Sequence, residues 1–419
     1  MRVLLVSANT EQLNMPTVPV GLGLVAAATR RAGHEVTFLD LMFEAEPDAA
    51  LRRAIEAARP EAIGISVRNI DDQALAAPRF RLAKVRPVID ACRAASAAPI
   101  VLGGAGYSLF PDEALAYLGA DLGVRGEGEV AFPRLLERLA RGDDPIAVPG
   151  VHAAGRGATA EPPFDAPLES LPLPDDDAYA SADPARPDIW VPVESRRGCP
   201  NDCSYCSTAR IQGRTIRARA PRAVAEHVAR LAGLGYRRFY FVDNSFNIPE
   251  AHALELCRAL AELRLGLEWR CILYPHKVSE ALVEAMANAG CVEVALGFES
   301  GNERGLRGMN KRFSPDDVRR VSALLAEHGI RRIGFLLLGG PGETRESVEE
   351  SLAFAESLGL DALRTTVGIR IYPGTGLAKR ALAEGVIESE RDLLLPRFYL
   401  AREVDPWLRE TVEAGFRAR

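Results

Sequence analysis

The 419-residue chain lacks a basic excess: 51 Lys and Arg stand against 57 Asp and Glu, a formal net charge of -6. Without a broad positive field, a nucleic-acid backbone is not the expected partner. Long apolar runs are missing too. The opening MRVLLVSANTEQ turns polar before it reaches the length of a secretory leader or a membrane span, so the expected location is the cytoplasm. There is no fixed-period repeat and no low-complexity tract long enough to define the fold. Cysteine is sparse at seven, and the count is odd; Cys199, Cys203 and Cys206 fall within eight residues while Cys92, Cys257, Cys271 and Cys291 are scattered. That pattern points away from a disulfide framework and toward a metal, the scattered four reading as small buried hydrophobes.

What is present is strand and helix in alternation. From Val3 to about Arg141 the runs VLLVSA, EVTFLD, AIGISV, PIVLGG and LGVRGE are separated by amphipathic stretches. Five short strands with helices between them imply a parallel, doubly wound (Rossmann-like) α/β sheet over residues 1-141. Gly33 sits where a left-handed helix terminus is wanted, and Pro111 suits a first helical turn. Ligands of such sheets lie beyond the carboxyl ends of the strands, here Ser66 to Asn69, Gly103 to Tyr107 and Arg125 to Glu129. Residues 142-189, rich in Pro, Asp and Ala, lose the periodicity and read as a linker. Alternation resumes over 190-389 with VPVESR, RRFYFVDN, LEWRCILYP, VEVALGFES, RRIGFLLLGG and TTVGIRIYP, six units that suggest an open, partial (β/α)6 barrel. Residues 390-419 read as a short helical appendix.

The segment RGCPNDCSYCS places Cys199, Cys203 and Cys206 in CxxxCxxC spacing just after the first strand of the barrel. Three thiolates on one loop can hold three irons of a cubane and leave the fourth open to bind and reduce a small molecule. A structural zinc would want a fourth ligand, and His227 and Cys257 are far along the chain in helical patterns.

With Tyr205 just before the third cysteine, this loop resembles the defining motif of the radical S-adenosylmethionine (SAM) superfamily. VDNSF, GFESGNERGLRGMNK, GFLLLGGPGET and IYPGTGLAKRALAEG resemble that superfamily's cobalamin-dependent branch. The resemblance implies a 4Fe-4S cluster on the three cysteines, SAM chelated to the open iron, and reductive cleavage to a 5′-deoxyadenosyl radical. It also implies that Asp243 and Asn244 lie near the amino group of SAM, Glu299 and Ser300 near its ribose, and Lys311 near its carboxylate. Gly339, Gly340 and Tyr372 would flank its adenine. Each has a plain alternative: Asp243 could cap a helix, Lys311 could be a solvated surface charge, and the glycines could make turns.

The first 141 residues resemble the cobalamin-binding module of the same branch, through PVGLGLVAAATRRAGHEVTFLDL, GISVRN, VLGGAGYSLFPDEAL and GVRGEGEVAFPRLL. The positions this implies for cobalamin are Ser66, Val67, Arg68, Asn69, Gly103, Gly104, Ala105, Gly106 and Glu127, the small residues letting a bulky corrin lie against backbone. The DxHxxG motif that supplies a lower axial histidine is absent, and His34 lies in a helix-to-strand turn. Cobalt is therefore expected to have a non-histidine neighbour, near Arg68 and Asn69, or none.

Together the two resemblances imply methylation of an unactivated carbon in a small-molecule or lipid-like substrate, with an external donor such as flavodoxin or ferredoxin supplying electrons. Ring closure, rearrangement or oxidation by the same cofactors is the alternative. A methylthiotransferase would carry three cysteines in its first domain, where only Cys92 stands. A cobalamin sensor would not need the three-cysteine loop.

Overall fold

A computed structural model describes residues 1-12 and 15-417. The chain divides into two compact units, the first Met1–Asp72, Phe80–Pro192 and Thr208–Ala218, the second Gln73–Arg79, Val193–Ser207 and Arg219–Arg419.

The first unit is a six-stranded sheet with order β2-β1-β3-β4-β5-β6. Its elements are β1 (Arg2–Ser7), α1 (Val20–Arg31), β2 (Glu35–Asp40), α2 (Pro47–Ala58), β3 (Ala62–Ser66), α3 (Arg86–Ala95), β4 (Ile100–Gly103), α4 (Ala105–Leu109), α5 (Pro111–Leu118), β5 (Leu122–Val124), α6 (Gly128–Arg141) and β6 (Val151–Ala153). β1 to β5 are parallel, as the continuous apolar runs predict, since a strand covered by helices on both faces has no polar side. Val3, Leu5, Val101, Leu122, Leu22, Phe132 and Leu135 belong to one buried cluster that joins this sheet to α1 and α6. Gly123 of β5 is required by its neighbour: a Cβ there would stand 2.1 Å from the hydroxyl of the fully buried Tyr107.

The stretch expected to be a linker does more than connect. Val151–Ala153 adds antiparallel to β5 as the sixth strand, and Asp175 and Asp177 receive the guanidinium of Arg30 at 2.8 and 2.5 Å. Only three residues pair there, too few for an alternation to be visible in the sequence.

The second unit carries a parallel sheet in the order β14-β13-β12-β11-β10-β7. In chain order the elements are β7 (Val191–Val193), β8 (Arg196–Arg197), α7 (Thr208–Gln212) and β9 (Arg217–Ala218), these last two with the first unit, then α8 (Pro221–Gly233), β10 (Arg238–Phe241), α9 (Glu250–Glu262), β11 (Glu268–Leu273), α10 (Glu280–Asn288), β12 (Cys291–Glu299), α11 (Glu303–Gly308), α12 (Pro315–Glu327), β13 (Arg331–Leu338), α13 (Arg345–Ser357), β14 (Ala362–Val367), β15 (Ile369–Arg370), α14 (Gly376–Ala383), β16 (Phe398–Tyr399) and α15 (Asp405–Arg417). Main strands follow one another with helices between, the connectivity of the partial barrel expected from the sequence. Helix starts are written locally: Ser314 and Asp317 form a capping box with Pro315 behind it, and Thr344 and Ser347 form another. Trp269 anchors the core against Phe241 and Phe246 and donates its indole N–H to Ala289 O at 2.8 Å. The tail is not purely helical, because β16 pairs antiparallel with β15 before α15 begins. Cys92, Cys257, Cys271 and Cys291 are all buried, as expected of structural thiols. Among the described residues no helix is long and apolar enough to cross a membrane.

Candidate active site

The three clustered cysteines follow β8 on one loop, Cys199 and Cys203 half-buried and Cys206 exposed. Burial pushes the Cys203 thiol up, Lys311 opposes this, and the neighbouring Cys206 and Cys199 push it up further. Among the described residues no three His, Cys, Asp or Glu side chains converge on a single ion position. A cubane makes no such demand, because each thiolate binds a different iron. The donor set therefore fits a three-cysteine cluster site.

Segments remote in sequence hold this loop. The backbone N–H of Ser204 donates to Met309 O at 3.1 Å, its hydroxyl to Gly308 O at 3.3 Å, and its carbonyl accepts from Leu377 N at 2.7 Å. The Tyr205 hydroxyl donates to Glu299 Oε1 at 3.0 Å. Glu299 ends β12 in a left-handed conformation, φ 64°, just past a register shift in its pairing with β13. A non-glycine residue held there carries strain, a common property of site residues. Lys311 completes the group: its ammonium lies 3.4 Å from Glu299 Oε1 and 3.5 Å from Gly297 O, and 5.4 to 5.8 Å from the ring centroids of Tyr205, Tyr274 and Phe313. Burial draws the Lys311 pKa down, but Glu299 and Cys203 more than offset it, so the amine is held charged.

Asp243 was expected to meet the amino group of a ligand, and here it faces the interior. Its carboxylate accepts from Ser195 N at 2.8 Å, Ser195 Oγ at 2.5 Å and Arg196 N at 3.1 Å, and pairs with Arg196 Nε at 3.3 Å. With no exposed surface on its side chain, it positions the residues that open the cysteine loop. Ser300 is likewise spent internally, 3.3 Å from the hydroxyl of Ser351 and fully buried. Lys311, only 5 % exposed, is neither a solvated surface charge nor a side chain open to a ligand carboxylate in this arrangement. The physical reason is common to all three: a polar group packed inside must find partners in the fold, and a strand-end motif does not reveal which way it turns. Asn244 remains half-buried, its amide 3.3 Å from Gly198 O.

Gly339 and Gly340 turn their N–H groups toward Glu343, the latter at 2.7 Å. Glu343 is buried, and burial pushes its pKa up against those two backbone donors. It was missed from the sequence although GGPGET contains it; a carboxylate three residues after a glycine that needs its amides satisfied was the available signal. Tyr274, Phe313, Ser195 and Arg196 were missed as well. Tyr372 is half-buried, with Arg370 stacked 5.1 Å from its ring.

In the first unit, Ser66 ends β3 and Val67 N donates to Gly103 O at 2.8 Å, joining the two strand ends named from the sequence. A Cβ on Gly104 or Gly106 would meet the carbonyls of Val67 or Arg68 at 2.6 and 3.0 Å, so those glycines, with Ala105 between them, make room for the chain itself. Gly103 is different: its Cβ direction is open to 3.9 Å. Glu127 is buried and bound bidentately by Arg217 at 2.9 and 2.7 Å. Ser66, Val67, Arg68 and Asn69 line a cleft with Ala8 to Glu11, Arg81, Lys84 and Val85. That cleft lies where the order β2-β1-β3 reverses direction, the place at which a doubly wound sheet opens beyond its carboxyl ends. The open Cβ direction of Gly103 and the cleft beside it lie at the strand ends where a doubly wound sheet takes its ligands. Asn9, Thr10, Glu11, Arg81 and Lys84 were not foreseen, although the strand order points to them.

Comparison with known proteins bears on both units. Residues 193–355 match the family model of the radical SAM superfamily, and residues 6–136 match that of the B12 binding domain. An uncharacterised methyltransferase of Pyrococcus horikoshii is 27 % identical over 92 % of this chain and 84 % of its own length. The tryptophan 2-C-methyltransferase of Streptomyces laurentii is 26 % identical over 90 % of this chain and 74 % of that one. Among solved structures, the radical SAM methyltransferase TsrM from Kitasatospora setae, with cobalamin and a 4Fe-4S cluster bound, superposes with a TM-score of 0.80 at 24 % identity, covering 91 % of this chain and 74 % of that chain.

Proposed function

The chain belongs to the cobalamin-dependent radical SAM enzymes, and from that premise we propose that it transfers a methyl group to an unactivated carbon of a small-molecule or lipid-like substrate. The observation that carries the reading is the presence of both modules on one chain, a three-cysteine loop in one and a switch-point cleft in the other. When bound, the cluster with SAM supplies a 5′-deoxyadenosyl radical able to take hydrogen from a strong C–H bond, and cobalamin supplies a methyl group that the SAM sulfonium does not readily give to a carbon radical.

The residues of this chain hold and exclude. Cys199, Cys203 and Cys206 are the cluster ligands in this reading, and Tyr205, Glu299 and Lys311 keep their loop in one conformation before any ligand arrives. In the same reading Gly339, Gly340, Tyr372 and Asn244 contact SAM, and Gly103 with Ser66 to Asn69 contact cobalamin. A cytoplasmic location and an external one-electron donor such as flavodoxin or ferredoxin complete the proposal.

The test is turnover of the anaerobically reconstituted chain with SAM bearing a deuterated methyl group and a panel of candidate metabolites. Product should gain the label, with 5′-deoxyadenosine and S-adenosylhomocysteine formed in comparable amounts. Deoxyadenosine without S-adenosylhomocysteine refutes methyl transfer in favour of ring closure or rearrangement. Replacing all three cluster cysteines with Ala should remove the iron while cobalamin still binds; retention of iron and sulfide overturns the ligand assignment.

A further inference from the structure

The chain has six histidines, and five of their rings hold a hydrogen bond within the protein. His34 meets the amino terminus at 3.2 Å, His152 meets Asp112 at 2.8 Å, and His227 meets Arg230 at 3.2 Å. His252 and His328 meet the carbonyls of Arg219 and Leu324 at 2.8 and 2.9 Å. His276 is the exception: among the described residues its ring has no hydrogen-bond partner, although its Nδ1 is buried. A neutral imidazole carries one donor and one acceptor, and here the protein meets neither. A polar atom enclosed without a partner costs free energy, so folds keep few of them.

His276 lies just past the carboxyl end of β11, and Glu299 ends the neighbouring parallel strand β12. Carboxyl ends are where barrels assemble their sites. Tyr274 joins the imidazole to the group around the cysteines. Its ring centroid is 6.5 Å from that of His276, 5.0 Å from that of Phe313 and 5.8 Å from the Lys311 ammonium, and its hydroxyl accepts from Arg312 N at 2.8 Å. The turn that carries His276 is fixed at both ends. Tyr274 N donates to Asn247 Oδ1 at 3.0 Å, and the Asn247 amide donates to the carbonyls of Tyr274 and His276 at 2.9 and 3.4 Å. Beyond it, Ser279 N donates to Glu250 Oε2 at 3.1 Å and Arg320 donates to Val278 O at 2.8 Å. The backbone is thus held while the imidazole stays half-buried and unbonded, the arrangement of a group preorganised to meet something outside the fold.

We propose that His276 is a substrate-binding and specificity residue of the barrel, and that the substrate carries a hydrogen-bonding oxygen, a hydroxyl or a carboxylate, on the part that enters the site. The inference rests on the proposed function and narrows it: a small-molecule or lipid-like substrate becomes one with a polar group beside the reacting carbon, and a purely hydrocarbon one is excluded. A hydroxyl can give to one state of the ring or take from it, and a carboxylate takes from the ring N–H. The imidazole orients the substrate, and no bond is made or broken at it.

The experiment uses the full chain, anaerobically reconstituted, with the substrate found by the labelled-methyl assay and its analogue lacking the oxygen. The parent should favour the oxygenated compound in kcat/KM by roughly 10-fold or more, because a site built to hydrogen-bond a group rejects the analogue without it. His276→Phe should lose that preference, with KM for the oxygenated compound raised roughly 5- to 50-fold and 5′-deoxyadenosine released without product. His276→Gln, which keeps a donor and an acceptor, should recover much of the preference. Equal preference in parent and His276→Phe overturns the proposal, since a structural role alone would change stability and leave discrimination intact. S-adenosylhomocysteine, a probe that is not cleaved, should bind the parent and both variants within about twofold in equilibrium dialysis, and a loss of about tenfold overturns the proposal by assigning the imidazole to SAM. If the parent turns its substrate over without transferring the label, methyl transfer fails, while the same comparison of preferences on that product still decides the role of His276.

Discussion

Substituting Asp243 separates a ligand group from a group that builds the site. Its carboxylate receives three hydrogen bonds, from Ser195 N, Ser195 Oγ and Arg196 N, and pairs with a guanidinium whose own side chain is 2 % exposed. Asp243→Asn keeps one oxygen for the two backbone donors but turns an N–H toward Arg196 and leaves that cation buried without its counter-charge. Breaking a buried pair from one side costs about 3–5 kcal/mol. For a unit of this size each kcal/mol moves the melting temperature by about 2–4 °C, so a drop of roughly 6–20 °C is expected in the transition of the second unit. Ser195→Ala removes one bond to a charged acceptor and should cost about 1.5–3 kcal/mol. Arg196→Met combined with Asp243→Asn should be more stable than Asp243→Asn alone, because no unpaired charge remains; a coupling of about 1–3 kcal/mol is expected. Anaerobic calorimetry of the reconstituted proteins, with iron content measured on the same samples, gives both numbers. An Asp243→Asn variant that melts with the parent, keeps its iron and loses only SAM binding would refute the reasoning and return Asp243 to the ligand list.

Three further expectations follow from the same packing. Lys311→Met should destabilise the second unit by about 2–4 kcal/mol, since Glu299 would keep only the Tyr205 hydroxyl; an unchanged denaturation midpoint would show that the aromatic enclosure contributes nothing. His227 is buried in α8, with Arg230 donating to its Nδ1 at 3.2 Å, and burial followed by Arg230 and Arg219 lowers its pKa to about 3. Its neutral form is the folded one, so its contribution is complete above the unfolded value near 6.5 and is lost as pH falls from there toward 3, by at most about 5 kcal/mol; His227→Phe should flatten the stability profile between pH 6 and 4, and an unaltered slope would count against it. Gly123→Ala would drive a methyl to 2.1 Å from the Tyr107 hydroxyl in a core with no slack, and a loss of about 1–3 kcal/mol in the first unit is expected by urea titration, a neutral result meaning that Tyr107 can move.

Much of the fold was legible because it is written in local pattern. Continuous apolar runs in residues 3-141 called for a parallel sheet covered on both faces, and the six later runs, the last four followed by helices capped by Ser279, Asn302, Thr344 and Thr375, called for the barrel. The cysteine loop was legible for a similar reason: its three thiols lie within eight residues, so their spacing is visible in the sequence itself. Tertiary structure decided the rest. β6 has three residues and forms only because β5 offers an edge. Which polar residues at the strand ends point outward could not be read, because Asp243, Ser300 and Lys311 have their partners at Ser195 and Arg196, at Ser351, and at Glu299, positions separated from them by 12 to 51 residues. The contact of Leu75 with Gly368 joins residues almost three hundred positions apart. Hydrogen bonds and packing distances are set by where strands lie in space, and a side chain's periodicity reports only its own strand or helix, so the sequence could name the motifs while the packed chain alone decided which partners their polar groups meet.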